Sequence, residues 1–256
     1  MNSVTGRIKE VKQPRGGYIK PSQFKEIKLE DNKSLNEKEN ISPSIIGMTI
    51  DYLTRFMMGA DIEDAFEISL TGARLAYPGA VNEIYHYLSQ IKGIDEVSII
   101  NACKCVTFDV WYRNHMAAMM AKSAKDTCPD KDTIQNIQIM VKRSIAFFEK
   151  YGPITVDGFT FEPDGYTSTV NTGDGDFLTA DTLWDFKVSK KKPTSQHTLQ
   201  LLMYWIMGQH SENNIFDNIR YIGIFNPRLN TVYTYEIKNV PEAIIEEVET
   251  KVIGYY

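Results

Sequence analysis

The chain has 256 residues, 43% of them hydrophobic, and a net charge of −5. That supplies one large core or one and a half smaller ones, while the lack of any apolar run of membrane-spanning length, or of an apolar segment after the polar opening Met1 to Lys12, excludes a bilayer span and a visible secretion signal and points to a soluble cytoplasmic protein. The acidic balance argues against a broad surface for nucleic acid, since phosphate neutralisation needs positive charge, and leaves room only for local basic clusters.

Met1 to about Asn40 is polar, rich in lysine and punctuated by Pro14, Gly16, Gly17 and Pro21, which predicts an extended arm. Ser42-Pro43-Ser44 marks a helix start, with a serine cap and a proline in the first turn. Helical patterns follow at about 44–58, 61–76, 80–91, 94–122 and 131–151, a helical region of residues 41–151 packed on the core. Met57, Met58, Met116, Met119 and Met120 on these segments read as core and interface filler. Cys103, Cys105 and Cys128 are odd in number and lack Cys-x-x-Cys spacing, so they read as buried thiols and not as a disulfide or zinc framework.

After Gly152-Pro153 the period changes from helix to strand. Strands are expected at Ile154 to Phe161, Tyr166 to Val170, around Asp176, over Thr182 to Val188, and as a hairpin of Arg220 to Phe225 with Thr231 to Ile237; a helix from Pro241 to about Val252 closes the chain. Within Thr182 to Val188, alternation puts Trp184, Phe186 and Val188 on one face and Asp185 and Lys187 on the other, roughly 7 Å apart along the strand. Asp176 lies nine positions before Asp185, across a short turn at Thr179-Ala180-Asp181, so a hairpin can set the two carboxylates side by side. Such a pair would raise one another's pKa unless a cation bridged them, and a hard cation with oxygen ligands, Mg²⁺ or Mn²⁺, is the natural occupant.

The next helix, Thr194 to His210, carries an apolar stripe of Leu199, Leu202, Met203, Ile206 and Met207, with Gln200 and Tyr204 one turn apart at its margin. Acid-x-Lys recurs elsewhere in the chain, as at Glu10-Val11-Lys12 and Glu236-Ile237-Lys238, so the tripeptide carries little by itself. The copy at Asp185 differs because it lies in an aromatic, strand-like run, follows Gly173-Asp174-Gly175-Asp176 and precedes Gln200-x-x-x-Tyr204.

That order of elements resembles the PD-(D/E)XK nuclease superfamily, in the branch related to the RecB nuclease domain and to CRISPR-associated and phage exonucleases. The motifs span Gly173 to Tyr204, and compatible elements extend the likeness to about Tyr151 to Lys238. The resemblance implies an α/β restriction-endonuclease-like core, a mixed central sheet flanked by helices in residues 152–256, joined to the large N-terminal helical region. It implies that Asp176 and Asp185 bind a catalytic Mg²⁺ or Mn²⁺ with the carbonyl of Phe186, that Lys187 orients or activates the attacking water, and that Gln200 and Tyr204 support the site or the DNA backbone.

Asp164, after Pro163, competes with Asp176 for the first acidic position, although Asp164-Gly165 looks like a turn. Asp174 shares a strand face with Asp176, and Glu149 is an upstream acid of the kind the branch often adds. Lys190, Lys191 and Lys192 cluster beyond the Asp185 strand, where they can meet a DNA backbone. His86, His115, His197 and His210 form no ligand set, and His197 is the one best placed to approach a phosphate. Four cysteines would be needed for the iron–sulfur cluster of some members, and the chain has three. The expected activity is therefore metal-dependent, exonuclease-like hydrolysis of DNA. The alternative is a nuclease-fold binding or inhibitor protein, for example in phage and host conflict, that engages a protein or nucleic-acid partner without cleavage.

Overall fold

The computed structural model describes residues 2–256. In chain order its main elements are α1 (Val4–Glu10), β1 (Lys25–Lys28), α2 (Pro43–Met57), α3 (Ile62–Ala65), α4 (Glu67–Leu75), α5 (Ala80–Leu88), α6 (Glu96–Val106), α7 (Asp109–Arg113), α8 (His115–Ala118) and α9 (Lys131–Tyr151). Then follow β2 (Val156–Phe159), β3 (Gly175–Leu178), β4 (Thr182–Phe186), α10 (Ser195–His210), β5 (Tyr221–Asn226), β6 (Thr231–Glu236) and α11 (Glu242–Glu247), which runs into a π-helical turn, Val248–Ile253. The chain divides into two compact units. One, here the sheet unit, comprises Met1–Leu29 with Phe147–Tyr256; the other, the helical unit, is Glu30–Ala146, so the division falls inside α9.

The sheet unit is α/β. Its six strands lie in the order β1-β6-β5-β4-β3-β2, with β4 and β5 parallel and every other neighbouring pair antiparallel. A parallel pair needs a crossover, and α10 supplies it. Alternation along β4 then divides two apolar layers. Leu183 joins Ile222, Ile224 and the α10 residues Leu199, Leu202 and Met203 on one face. Trp184 joins Phe177, Phe225 and Val232 on the other, against Phe147 and Phe148 at the end of α9. There the Phe147 ring stacks on Phe225 at 4.2 Å and meets Trp184 edge-on at 5.0 Å. Gly223 pairs with Trp184 across β4 and β5, and a Cβ at Gly223 would come within 2.4 Å of the indole, so the glycine makes the space that the tryptophan fills.

The N-terminal segment is not an extended arm. Val4, Ile8, Tyr18, Ile19 and Phe24 are buried in the α10-side core, and β1 adds a strand to the sheet along β6. Average polarity concealed these anchors, because a few apolar side chains and one run of backbone hydrogen bonds suffice to fix the segment. Residues 31–40 are tied instead within the helical unit: Asp31 to Arg143 at 2.6 Å, Asn36 to Asn136 and Asn40 to Thr133. The boundaries expected at residues 40 and 151 thus differ from the observed ones at 29 and 146.

Further expectations change. Tyr166 to Val170 forms a turn and not a strand, because the Thr167 hydroxyl accepts from the backbone N–H groups of Thr169 and Val170. The pattern at 61–76 breaks at the buried Phe66, and that at 94–122 divides into α6, α7 and α8, with Asn114 capping the last through Ala117 N–H. Cys103 and Cys105 are buried free thiols, but Cys128 is exposed, as are Met57, Met58, Met116, Met119 and Met120.

The helical unit buries Ile46, Ile50, Leu53, Phe66, Ile84 and Ile99 almost completely. Asp109 lies among them, accepting from Tyr52 Oη at 2.6 Å and Ser69 Oγ at 2.5 Å. Among the described residues, no helix is long and apolar enough to cross a membrane.

Candidate active site

The β3–β4 hairpin pairs Phe177 with Trp184 and Leu178 with Leu183. Carrying that register one residue on sets Asp176 beside Asp185, on the sheet face that α10 covers. The backbone ladder gives way there to a side chain: Phe186 N–H donates to Asp176 Oδ2 at 2.6 Å. Phe159 lies over Gly175, so closely that a Cβ there would come within 2.0 Å of its ring. The glycine before Asp176 is thus required by packing, while Asp176 itself stays half-buried.

Asp185 is 3% exposed and its two oxygens differ. Oδ1 receives the Lys187 ammonium at 2.9 Å, whereas Oδ2 is buried with no hydrogen-bond partner. Lys187 lies one residue beyond β4, its N–H donating to the Phe225 carbonyl at 3.0 Å and so prolonging the parallel ladder. Burial opposes the charge on its ammonium, but Asp185, Asp176 and Asp174 outweigh it and hold the Lys187 pKa above the ordinary lysine value. Lys187 is therefore a fixed cation at neutral pH.

Gln200 and Tyr204 face this cluster from α10, with Gln200 Nε2 donating to Tyr204 Oη at 3.0 Å. They are not marginal: they are 8% and 4% exposed, because α10 is covered by the sheet on one side and by α1 and Val248–Ile253 on another. Burial raises the Tyr204 pKa; the Gln200 hydrogen bond opposes this, and the fields of Asp185, Asp176 and Asp174 add to the rise. The phenol stays neutral.

The remaining candidates separate. Asp164 occupies an exposed turn with a left-handed backbone, φ 68°, and Glu149 is exposed on α9. Asp174 is exposed but close enough for its charge to act on Lys187 and Tyr204. Lys192 is paired at the surface, its ammonium 2.7 Å from Glu26 on β1. Lys190 and Lys191 are exposed in the same loop, which Asn226 holds through a 2.8 Å hydrogen bond to the Ser189 carbonyl.

Among the described residues, no three His, Cys, Asp or Glu side chains converge as a metal-binding group. A cation would therefore rest on two carboxylates, with main-chain or water oxygens completing its shell. The unpartnered Oδ2 of Asp185 suits that role: a buried carboxylate oxygen without a donor is costly, and a hard cation satisfies it. Comparison of the chain with protein-family models, with curated proteins and with solved structures finds no match.

Proposed function

We propose that the protein is a metal-dependent nuclease that hydrolyses DNA phosphodiester bonds at Asp176, Asp185 and Lys187. The observation that carries the proposal is the divided state of Asp185, one oxygen on a lysine ammonium and the other buried and unpartnered. A hard cation at that oxygen would supply the partner it lacks.

Asp176 and Asp185 would hold Mg²⁺ or Mn²⁺, with the Phe186 carbonyl as a further oxygen ligand. When bound, such an ion stabilises negative charge on phosphate oxygens and lowers the pKa of a coordinated water. In the hydrolysis a water oxygen bonds to phosphorus as the opposite P–O ester bond breaks; the water's proton finishes on the departing oxygen, leaving a phosphate monoester and an alcohol. Lys187, already protonated, donates hydrogen bonds that orient the water and offset charge on the phosphate; its raised pKa makes it a donor and not a base. Phe186 N–H fixes one Asp176 oxygen, and the Gln200–Tyr204 pair closes the α10 side against water. Lys190 and Lys191 supply exposed positive charge for a DNA backbone, a local device compatible with the net acidic chain.

The test is incubation of purified protein with linear, circular and single-stranded DNA in Mg²⁺ or Mn²⁺, with an EDTA control. Cleavage that needs the metal is expected, and Lys187→Ala should lower its rate at least ~100-fold, the lower end for removing one charge-stabilising donor. Intact DNA in every metal arm would favour the non-cleaving binding reading.

A further inference from the structure

His197 makes two contacts with the start of α10. Its backbone N–H donates to the Thr194 carbonyl, and its Nδ1 accepts from the Thr194 N–H at 3.1 Å. The second contact satisfies one of the orphan donors at the helix start, in the arrangement of a capping box with histidine in the place of glutamate or glutamine. It also settles where the proton lies. A ring nitrogen that accepts a hydrogen bond carries no proton, so a neutral imidazole must carry its proton on Nε2. Burial first, and the nearby Lys187 charge second, lower the His197 pKa against a smaller opposing effect of Asp185, so the ring is neutral at pH 7. Nε2 has no protein acceptor among the described residues.

The placement gives that free donor a direction. His197, Gln200 and Tyr204 follow one another at i, i+3 and i+7, one row along the face of α10 that looks onto Asp185 and Asp176. Tyr204 is at the Gly173 end, its ring 3.9 Å from where a Gly173 Cβ would stand; His197 is at the opposite end, where the charges of Lys187 and Asp185 both act on its ring. We infer that His197 is a further substrate-binding residue of the site, presenting Nε2–H to a non-bridging oxygen of the scissile phosphate beside Lys187. The inference rests on the nuclease reading above. A neutral donor there complements Lys187: it adds a hydrogen bond without adding a second cation that would compete with the metal.

Three substitutions separate this role from simple helix capping. His197→Gln keeps an acceptor for the Thr194 N–H and an amide donor; His197→Glu keeps the acceptor and has no donor; His197→Ala has neither. The expected result is a wild-type melting temperature for the Gln and Glu variants, cleavage within about tenfold of wild type for Gln, and a fall of about 100-fold in kcat/KM for Glu and Ala, as for a lost transition-state donor. Imidazole ¹⁵N chemical shifts of the wild type without metal should show Nδ1 unprotonated and Nε2 protonated. Near-wild-type cleavage by the Glu variant, or the opposite tautomer, overturns the inference alone. Wild-type protein that cleaves no DNA overturns the nuclease reading and this inference with it.

Discussion

Asp109 in the helical unit and Asp185 in the sheet unit are buried to the same degree, 1% and 3% exposed, and their surroundings treat them in opposite ways. Asp109 has a donor on each oxygen, Ser69 on Oδ1 and Tyr52 on Oδ2, with the Arg113 guanidinium 3.7 Å away. Asp185 has a lysine on Oδ1 and nothing on Oδ2. A buried carboxylate with all its partners behaves as part of the core; an oxygen left without one bears its cost of desolvation with no local return. Burial alone therefore does not distinguish the two aspartates; the completeness of their partner sets does.

The largest effect should come from neutralising the incomplete one. Asp185→Asn is expected to lower DNA cleavage at least ~1000-fold, about 4 kcal/mol of transition-state stabilisation, while leaving the melting temperature without metal equal to or above that of the wild type. A variant that cleaves normally, or one that unfolds, would break the distinction by making Asp185 either dispensable or structural.

Asp109→Ala should do the reverse. Removing one member of a buried, hydrogen-bonded charge set costs about 3 kcal/mol, because Tyr52 and Ser69 lose their acceptor and Arg113 its counter-ion. Urea denaturation followed by circular dichroism measures it, and cleavage by the folded fraction should be unchanged. A loss of activity at full stability would assign Asp109 a role outside packing.

The smallest effect is in pH dependence, and it sharpens the comparison within the helical unit. Burial raises the Asp109 pKa, against the opposing hydrogen bonds of Ser69 and Tyr52 and the charge of Arg113. Asp109 therefore binds its proton more tightly in the folded state. Relative to Asp109→Asn, the wild type has its full advantage below the ordinary carboxylate value and loses it as pH rises through the native one. Asp31 is the mirror case, its pKa lowered by the Arg143 hydrogen bond. Relative to Asp31→Asn, the wild type has its advantage above the ordinary value and loses it as pH falls through the native one. Thermal melts of the three proteins from about pH 2.5 to 7 should give difference curves of opposite slope; slopes of the same sign would show that burial does not dominate at Asp109.

Some of this molecule is written locally in the chain. The alternation Trp184, Asp185, Phe186, Lys187 puts the aromatic and the charged side chains on opposite faces whatever surrounds the strand, because successive side chains point to opposite faces. The pattern at 131–151 became α9 and the paired runs at 220–237 became the β5–β6 hairpin, since a regular period over many residues needs no distant partner to be legible. Asp176, Asp185 and Lys187 could be brought together for the same reason, since each is fixed by spacing within one strand or hairpin; Gln200 and Tyr204 joined them only through the order of motifs and the resemblance it carries.

Tertiary structure decided what depends on a distant neighbour. Lys25–Lys28 is a strand only because β6 offers its edge, and the apolar residues of the first 24 are core only because α10 lies above them. Gln200 and Tyr204 passed from the margin of a stripe to the interior because a second layer covers α10, and no periodicity within the helix reports what lies on its far side. Lys192 met its surface partner in Glu26, 166 residues away. The sequence by itself determined the local geometry of each element and the residue types that alternate along it; which oxygen of Asp185 would find a partner was decided by packing, because hydrogen-bond satisfaction in a buried site is a property of every group that closes over it.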